Sequence, residues 1–303
     1  MDSDPSARRP FRFGVVAAQA SSAEEWIAKA RRAEALGYAT FVIPDTLGPT
    51  LAPLPALAAV AAATSSIRVG TYVLAAGFRN PVLLARECAT LDFLAGGRLE
   101  LGLGAGRPSV EEEYRRLGLP AESGGARVER LGEILRTLKA LFTQPASTAG
   151  PDGAPSGEQL YPRPLQRPHP PILVAGAGRR LLGLAAREAN IVALGGRPDE
   201  DEATVAEKVA WLRQSAGDRF GELELNVNLI AVGQEIHPWA AARLGLDPAA
   251  LSRLRGPALL LGSADAMAEL LLRRRETLGI SYLTVGDAFM ETLAPVVARL
   301  AGR

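Results

Sequence analysis

The chain has one cysteine, Cys88, in 303 residues, so no disulfide can form within it. It has two histidines, His169 and His237, well separated in sequence. One thiol and two distant imidazoles cannot supply the ligand set of a Cys/His zinc site. Aromatic residues are only 5% of the chain, so the core must be built from Ala, Leu and Val. No apolar run reaches the ~18 residues that a membrane helix needs. Met1 to Pro10 is polar and has no apolar centre of a secretory signal. A soluble, cytoplasmic protein is expected. The serine nucleophile elbow G-x-S-x-G, the Walker A loop and the dinucleotide fingerprint G-x-G-x-x-G are all missing. A formal net charge of +1 gives no basic excess, which argues against nucleic acid or an anionic membrane as partner.

What is present is an alternation of strand and helix patterns almost from end to end. Phe11 to Ala18 reads as a strand. Ser21 or Ser22 then caps a helix with Glu24 and Glu25 at its positive end. Trp26, Ile27, Ala30, Ala33 and Leu36 share one face of that helix, and Gly37 stops it. Thr40 to Pro44 is a second strand and Pro55 to Thr64 a second helix. Ile67 to Leu74 is the third strand. Asn80-Pro81 opens a helix that Gly96-Gly97 ends. Cys88 falls inside this helix and reads as a small core residue. Arg98 to Gly104 is the fourth strand, with Leu99, Leu101 and Leu103 on one face. Glu112 to Leu117 and Val128 to Phe142 are helical.

The rhythm resumes with strands at Pro171 to Ala175, Ile191 to Leu194, a long one at Leu223 to Val232, and Ile280 to Val285. The helices between and after them run over Arg179 to Glu188, Glu202 to Ser215, Ser263 to Gly279 and Ala288 to Leu300. The Arg273-Arg274-Arg275 run reads as a solvated helix face. Eight strands alternating with about eight helices predict an α/β fold with an all-parallel sheet. The count and the length favour a closed (β/α)8 TIM barrel over an open sheet. We expect one domain over residues 1–303, with insertions near 144–170 and 233–257.

In such a barrel the site lies at the C-terminal ends of the strands. Asp45 ends the second strand, where a carboxylate could bind a cofactor, move a proton or merely cap a turn. Asn226 and Asn228 lie near the end of the seventh. Two glycine clusters follow strands: Gly102-Leu103-Gly104-Ala105-Gly106, and Gly176-Ala177-Gly178-Arg179-Arg180. Glycine lets backbone N–H groups approach a ligand, and the second cluster adds two arginines at a helix start. That combination suits a phosphate; tight strand-to-helix packing is the alternative for both clusters. His169 precedes the fifth strand and belongs to the opposite, structural face. His237 follows the seventh strand, in an irregular stretch. The inventory is poor in acid–base groups and rich in backbone donors, as in an enzyme whose cofactor carries the chemistry.

The run from Ile67 to Gly106, IRVGTYVLAAGFRNPVLLARECATLDFLAGGRLELGLGAG, resembles the signature region of the luciferase-like monooxygenases. The stretches Gly37 to Asp45, Glu113 to Gly118, Pro162 to Gly176 and Leu278 to Val285 support the resemblance. Within that superfamily the chain is most similar to the actinobacterial type of F420-dependent oxidoreductase. The resemblance implies an often homodimeric barrel with insertions that acts on a small-molecule substrate. It implies a flat ring, of coenzyme F420 or alternatively FMN, over the end of the third strand. A non-prolyl cis peptide would back the ring, and Tyr72-Val73 is the matching bond. Gly104 and Gly106 would line the ring's surroundings, and Gly176, Ala177, Gly178, Arg179 and Arg180 would hold the phosphate. Asp45, Tyr72 and Arg107 would orient or protonate the substrate. Thr46 stands where many relatives have histidine, Arg107 where some deazaflavin enzymes have glutamate, and Val128 where several FMN relatives have tyrosine. The expected function is hydride transfer from reduced F420 to an activated C=C or C=N bond. A two-component FMNH2-dependent monooxygenase and a barrel without a cofactor are the alternatives.

Overall fold

A computed structural model of the chain describes residues 9–106, 110–144, 160–196, 200–234 and 256–303. Most of the two expected insertions, and with them His237, lie outside the described residues. The ring is built from β1 (Arg12–Val16), β2 (Thr40–Ile43), β3 (Arg68–Thr71) with its continuation β4 (Leu74–Ala75), and β5 (Leu99–Gly104). It goes on through β6 (Ile172–Gly176), β7 (Ile191–Leu194) and β8 (Glu224–Leu229), and beyond β9 (Ala231–Gly233) and β10 (Leu259–Leu261) is completed by β11 (Ile280–Gly286). The strand order is β3-β2-β1-β11-β8-β7-β6-β5-β4, all pairings are parallel, and Val69 and Gly70 of β3 pair with Leu99 and Glu100 of β5. That last pairing closes an eight-stranded barrel, as the sequence predicts. No helix among the described residues is long and apolar enough to cross a membrane.

The two-residue period of a strand decides what fills the ring. In β5, Leu99, Leu101 and Leu103 are fully buried in the core shared with the helices. Glu100, Gly102 and Gly104 therefore face inward. At the N-terminal end the interior is polar. Arg12 donates to Glu224 at 2.9 and 2.8 Å and to Glu100 at 2.9 Å. Its guanidinium lies 4.3 Å from the centroid of the Tyr282 ring. The Tyr282 hydroxyl is 2.9 Å from Glu100 Oε1 and 2.6 Å from Thr40 Oγ1. Above this floor Leu173, Ile191 and Ala193 pack with Tyr282.

Nine described helices surround the barrel: α1 (Ala23–Ala35), α2 (Pro53–Ala63), α3 (Pro81–Leu94), α4 (Val110–Arg116), α5 (Gly124–Thr143), α6 (Arg179–Glu188), α7 (Glu202–Ala216), α8 (Ala264–Leu278) and α9 (Met290–Leu300). Ser22 caps α1 by accepting from Glu25 N, and Asn80 caps α3 by accepting from Val82 and Leu83 N. Gly96 and Gly97 end α3 with φ of 62° and 80°, a region that side chains avoid. Buried Asp92 of α3 accepts from Leu99 N, Leu165 N, Gln166 N and Gln166 Nε2. This clamp fastens the Pro164-Leu165-Gln166 stretch to α3 and to the start of β5. Cys88 is fully buried, and burial pushes its thiol pKa up.

Three expectations are corrected. The third strand is interrupted after Thr71 and resumes at Leu74. The long seventh strand divides: β8 stays in the ring, while β9 leaves it to pair with β10, a three-residue strand too short to have its own pattern. The arginine run on α8 is not a solvated face throughout. Arg274 is 3% exposed. It donates to the carbonyls of Gly256, Pro257 and Leu259 and to Glu202, so it closes the chain that leads into β10.

Glu34 of α1 fastens the turn into β3. Its Oε1 accepts from Ser65 N at 2.9 Å, Ser66 N at 2.6 Å, Ile67 N at 2.9 Å and Ser66 Oγ at 2.9 Å. Burial raises its pKa, but these donors outweigh burial and bring it down from 4.5 to about 2. A folded pKa below the unfolded one gives stability that is complete above the unfolded value and is lost as pH falls through the folded one. Glu34→Gln should therefore melt below the native chain at pH 7, with the two melting temperatures converging from pH 4.5 toward 2. Parallel profiles over that range would show that the carboxylate contributes nothing.

Candidate active site

The peptide between Tyr72 and Val73, at the interruption of the third strand, is cis. It stands at the C-terminal end of the barrel, where the resemblance places it. The Tyr72 side chain packs among the interior residues, and its hydroxyl donates to Asn226 Oδ1 at 2.6 Å. Asn226 in turn donates to Tyr282 O at 3.2 Å. Burial pushes the Tyr72 pKa up to about 12, so the phenol keeps its proton through the neutral range. Val73 needs room across the ring. A Cβ at Gly104 would lie 2.8 Å from Val73 Cγ2, and one at Gly102 would lie 2.0 Å from Thr71 O and 3.0 Å from Val73 Cγ1. The first glycine cluster is thus the space into which the interrupted strand folds. Gly106 ends it with φ of 85°. Arg107 follows immediately and lies outside the described residues.

Asp45 is engaged within the protein. Its carboxylate accepts from Ala75 N at 3.1 Å and from Arg79 Nη2 at 2.9 and 3.0 Å. Burial pushes its pKa up, Arg79 and the Ala75 amide pull it down, and nearby Glu113 adds to the upward push. Asp45 therefore ties the exit of β2 to β4, directly after the cis bond. Thr46 is beside it, with its hydroxyl 3.3 Å from Glu113 Oε1, while Glu113 Oε2 accepts from Leu47 N at 3.1 Å. Arg116 donates to Leu47 O at 3.2 Å, so two residues of α4 pin the turn after Asp45. Asp45→Ala should remove a buried charge-assisted link of about 1.5–3 kcal/mol. The expected result is a lower melting temperature together with weaker cofactor binding. A variant that only melts lower would make Asp45 a scaffold residue.

The second glycine cluster lies at the end of β6. Gly176 leaves the sheet, and a Cβ there would clash with Leu181 at 2.2 Å. Gly178 is the N-cap of α6, with no side-chain cap and no acidic residue in the first turn. Nothing lies within 4 Å of where its Cβ would be. Ala177 joins the two glycines. The arginines point to neighbouring helices: Arg180 pairs with Glu129 at 2.6 Å, and Arg179 reaches Gln214 at 3.4 Å and the Trp211 ring at 5.7 Å. The amides at the start of α6 have no side-chain cap, and the Arg180 side chain stays 62% exposed beside its pair with Glu129. Alongside, Gly195 N donates to Gly176 O at 2.9 Å, and Lys208 donates to Gly195 O at 2.8 Å and pairs with Glu200. Lys208 is 4% exposed.

Sequence reasoning passed over Lys208, Arg79 and the part played by Glu113. Lys208 had a signal: Val205, Lys208, Val209 and Leu212 share the buried stripe of α7. On the opposite face His169 Nδ1 lies 2.8 Å from Pro170 O, and burial lowers the His169 pKa. No group of three His, Cys, Asp or Glu among the described residues could hold a metal.

A barrel with an interrupted third strand, a cis bond and a glycine-lined end is thus on hand, and residues 10–243 match the family of luciferase-like monooxygenases. The chain belongs to that family. It is 30% identical over 220 residues to the uncharacterized protein Rv0940c of Mycobacterium tuberculosis, covering 63% of this chain and 72% of that one. It is 29% identical over 187 residues to the FMNH2-dependent dimethylsulfone monooxygenase of Pseudomonas putida, covering 61% of this chain and 50% of that enzyme. The coenzyme F420-dependent tetrahydromethanopterin reductase of Methanopyrus kandleri superposes with a TM-score of 0.74 at 16% identity, over 96% of this chain and 98% of that one. The last comparison establishes the shared fold. This luciferase-like protein therefore has relatives and structural neighbours that use a flavin and others that use a deazaflavin.

Proposed function

We propose that this luciferase-like protein is an F420-dependent oxidoreductase that reduces an activated C=C or C=N bond of a small molecule. The observation that carries the reading is the pairing of a flat seat with an anion cradle at one barrel end. The seat is the Tyr72-Val73 edge, which has room only because Gly102 and Gly104 lack side chains. The cradle is the uncapped start of α6 at Gly178, where the helix dipole and free N–H groups favour a phosphate. Val128, in place of the tyrosine of several FMN relatives, leans against FMN, and Thr46, in place of a histidine, speaks against a histidine acid or base and against dehydrogenation of an alcohol.

When bound, reduced F420 supplies a hydride. The protein's own part is positional. The backbone at Tyr72-Val73 would support the ring, and the Tyr72–Asn226 bond fixes that edge from inside the barrel. Asp45 keeps β4 in place through Ala75 and Arg79. The amides of Arg179 and Arg180, with Gly176, Ala177 and Gly178, would hold the phosphate. Arg107 orients the substrate, and the proton that balances the hydride comes from water. A second reading, an FMNH2-dependent two-component monooxygenase, is favoured by the flavin monooxygenase among its sequence relatives. Fluorescence titration of the purified chain with F420 and with FMN decides between them. Tight FMN binding without F420 binding would replace the first reading with the second, and binding of neither would leave a barrel without a cofactor.

We also infer that the protein works as a homodimer. Val82, Leu83, Phe93 and Leu94 are exposed on one side of α3, next to α2, which carries no charged residue. Exposed large apolar side chains at both ends of one helix, with Arg86 and Glu87 between them, suit contact with a second copy of the chain. Light scattering at micromolar concentration should give twice the chain mass for the native protein and a single chain for Phe93→Glu. A native monomer would remove the inference.

A further inference from the structure

The polar side chains inside β8 are not equally engaged. By the two-residue period of a strand, Glu224, Asn226 and Asn228 point into the ring, in order from its floor toward its C-terminal end. Glu224 pairs with Arg12. Asn226 is engaged at both atoms: its Oδ1 accepts from the Tyr72 hydroxyl, and its Nδ2 donates to Tyr282 O. Asn228 is engaged at one. Its Oδ1 accepts from Thr284 Oγ1 at 3.1 Å. Its Nδ2 donates to no described residue and is not a buried, unpaired atom. Thr284 is fully buried, so the bond to it keeps the half-buried Asn228 side chain on the inner face of the ring. Arg12, Glu100 and Tyr282 fill the floor beneath, so solvent reaches this amide from the C-terminal end.

Two further observations relate the amide to the proposed ring seat. In the closed strand order β8 is four strands from β3 in either direction. Asn228 and the Tyr72-Val73 edge therefore lie on opposite sides of one opening, and the Tyr72 side chain crosses the interior to meet Asn226, one inward position below Asn228. There is also room beside Asn228. Its partner across the β8–β11 pairing is Thr284, and the next inward position on β11 is Gly286. Nothing lies within 4 Å of where a Cβ on Gly286 would be. A flat ring supported at the Tyr72-Val73 edge would turn its other face toward β8. A substrate in that space would then meet the ring on one side and the Asn228 amide on the other.

Resting on the oxidoreductase reading, we infer that Asn228 is a substrate-binding residue and that the reducible C=C bond of the substrate is conjugated to an uncharged carbonyl group. A neutral N–H donor matches a carbonyl oxygen, whereas a protonated C=N group is itself a donor and offers this N–H no acceptor. Hydride from the reduced cofactor adds to the carbon β to the carbonyl, the C=C electron pair shifts so that charge collects on the carbonyl oxygen, and water protonates the α carbon. The cofactor is oxidised and the C=C bond reduced. A donor already held in place by Thr284 stabilises the oxygen most as its charge develops.

The test is calorimetric titration of the full chain, loaded with the oxidised form of whichever of F420 or FMN it binds. The probes are benzalacetone, an enone, and β-ethylstyrene, which has the same shape without the carbonyl. Benzalacetone should bind to the native chain. Asn228→Leu should weaken it by about tenfold, because its carbonyl is then buried without a donor, while β-ethylstyrene binds at least as well as before. Asn228→Asp should also weaken benzalacetone, since an ionised carboxylate only accepts. Gly286→Leu fills the adjoining space and should weaken both probes alike. Infrared difference spectra with benzalacetone isotope-labelled at the carbonyl should place its stretching band lower in the native complex than in hexane, a reading that needs no variant. No binding of benzalacetone, a band at the hexane position, equal weakening of both probes in Asn228→Leu, or unchanged benzalacetone affinity in Asn228→Asp or Gly286→Leu would each overturn the assignment. If neither cofactor binds, the oxidoreductase reading fails on its own, and the same probes titrated into the cofactor-free chain still decide the role of Asn228.

Discussion

Glutamate in place of Gly178 is expected to abolish cofactor binding while the chain stays folded. Gly178 has φ of −77° and ψ of 144°, ordinary extended backbone that any residue adopts. Its Cβ would meet nothing within 4 Å, so the substitution creates no clash inside the protein. The new carboxylate would fill the space above the first turn of α6, where the helix dipole favours a negative charge. The helix should gain stability while the phosphate loses its donors and meets a like charge. Losing two charge-assisted contacts corresponds to about a hundredfold or more in affinity. Fluorescence titration reads the loss, and a melting curve at or above the native one reads the intact fold. Affinity within threefold of the native value would mean that the phosphate sits elsewhere. Gly178→Ala is the control, and it should bind nearly as well as the native chain because bulk alone is tolerated there.

Arg12→Met should produce the largest loss of stability. Arg12 is the cation between Glu100 and Glu224, whose side chains are 2% and 12% exposed. Breaking a buried pair by removing one partner costs about 3–5 kcal/mol because the orphaned charge stays buried. Here Glu224 is orphaned, Glu100 keeps only Arg68 at 3.9 Å and the Tyr282 hydroxyl, and the Tyr282 ring loses the cation stacked on it. At roughly 2–4 °C per kcal/mol for a chain of this size, the melting temperature should fall by about 10 °C. Adding Glu100→Gln and Glu224→Gln to Arg12→Met should recover much of the loss by removing the stranded charges. A single variant that melts like the native chain would mean the floor is not held by charge.

The barrel itself was legible because each ring strand is short, apolar and bounded by a helix signal. Phe13 and Val15, or Leu99, Leu101 and Leu103, mark the outward face of their strands by period alone. The same period left the inner residues, Glu100, Gly102 and Gly104, without an obvious role until their partners were known. Those partners lie elsewhere in the ring: Arg12 on β1 for Glu100, and Val73, in the break between β3 and β4, for Gly104. Likewise Asp45 was visible as a strand-end acid, but its bond to Arg79 depends on the fold at the cis bond, which local spacing does not encode. Arg274 was misread for the same reason. Its carbonyl partners are brought to it by β9 and β10, whose pairing is made only in the folded chain. The cis bond came from resemblance to relatives; no propensity of Tyr72 or Val73 points to it.

The charged floor has a kinetic consequence. With Arg12, Glu100, Glu224 and Tyr282 corking one mouth, traffic through the barrel uses a single doorway. Whatever settles deepest must enter first and depart last. On the proposed reading, steady-state patterns should accordingly obey a compulsory order, the coenzyme preceding the substrate.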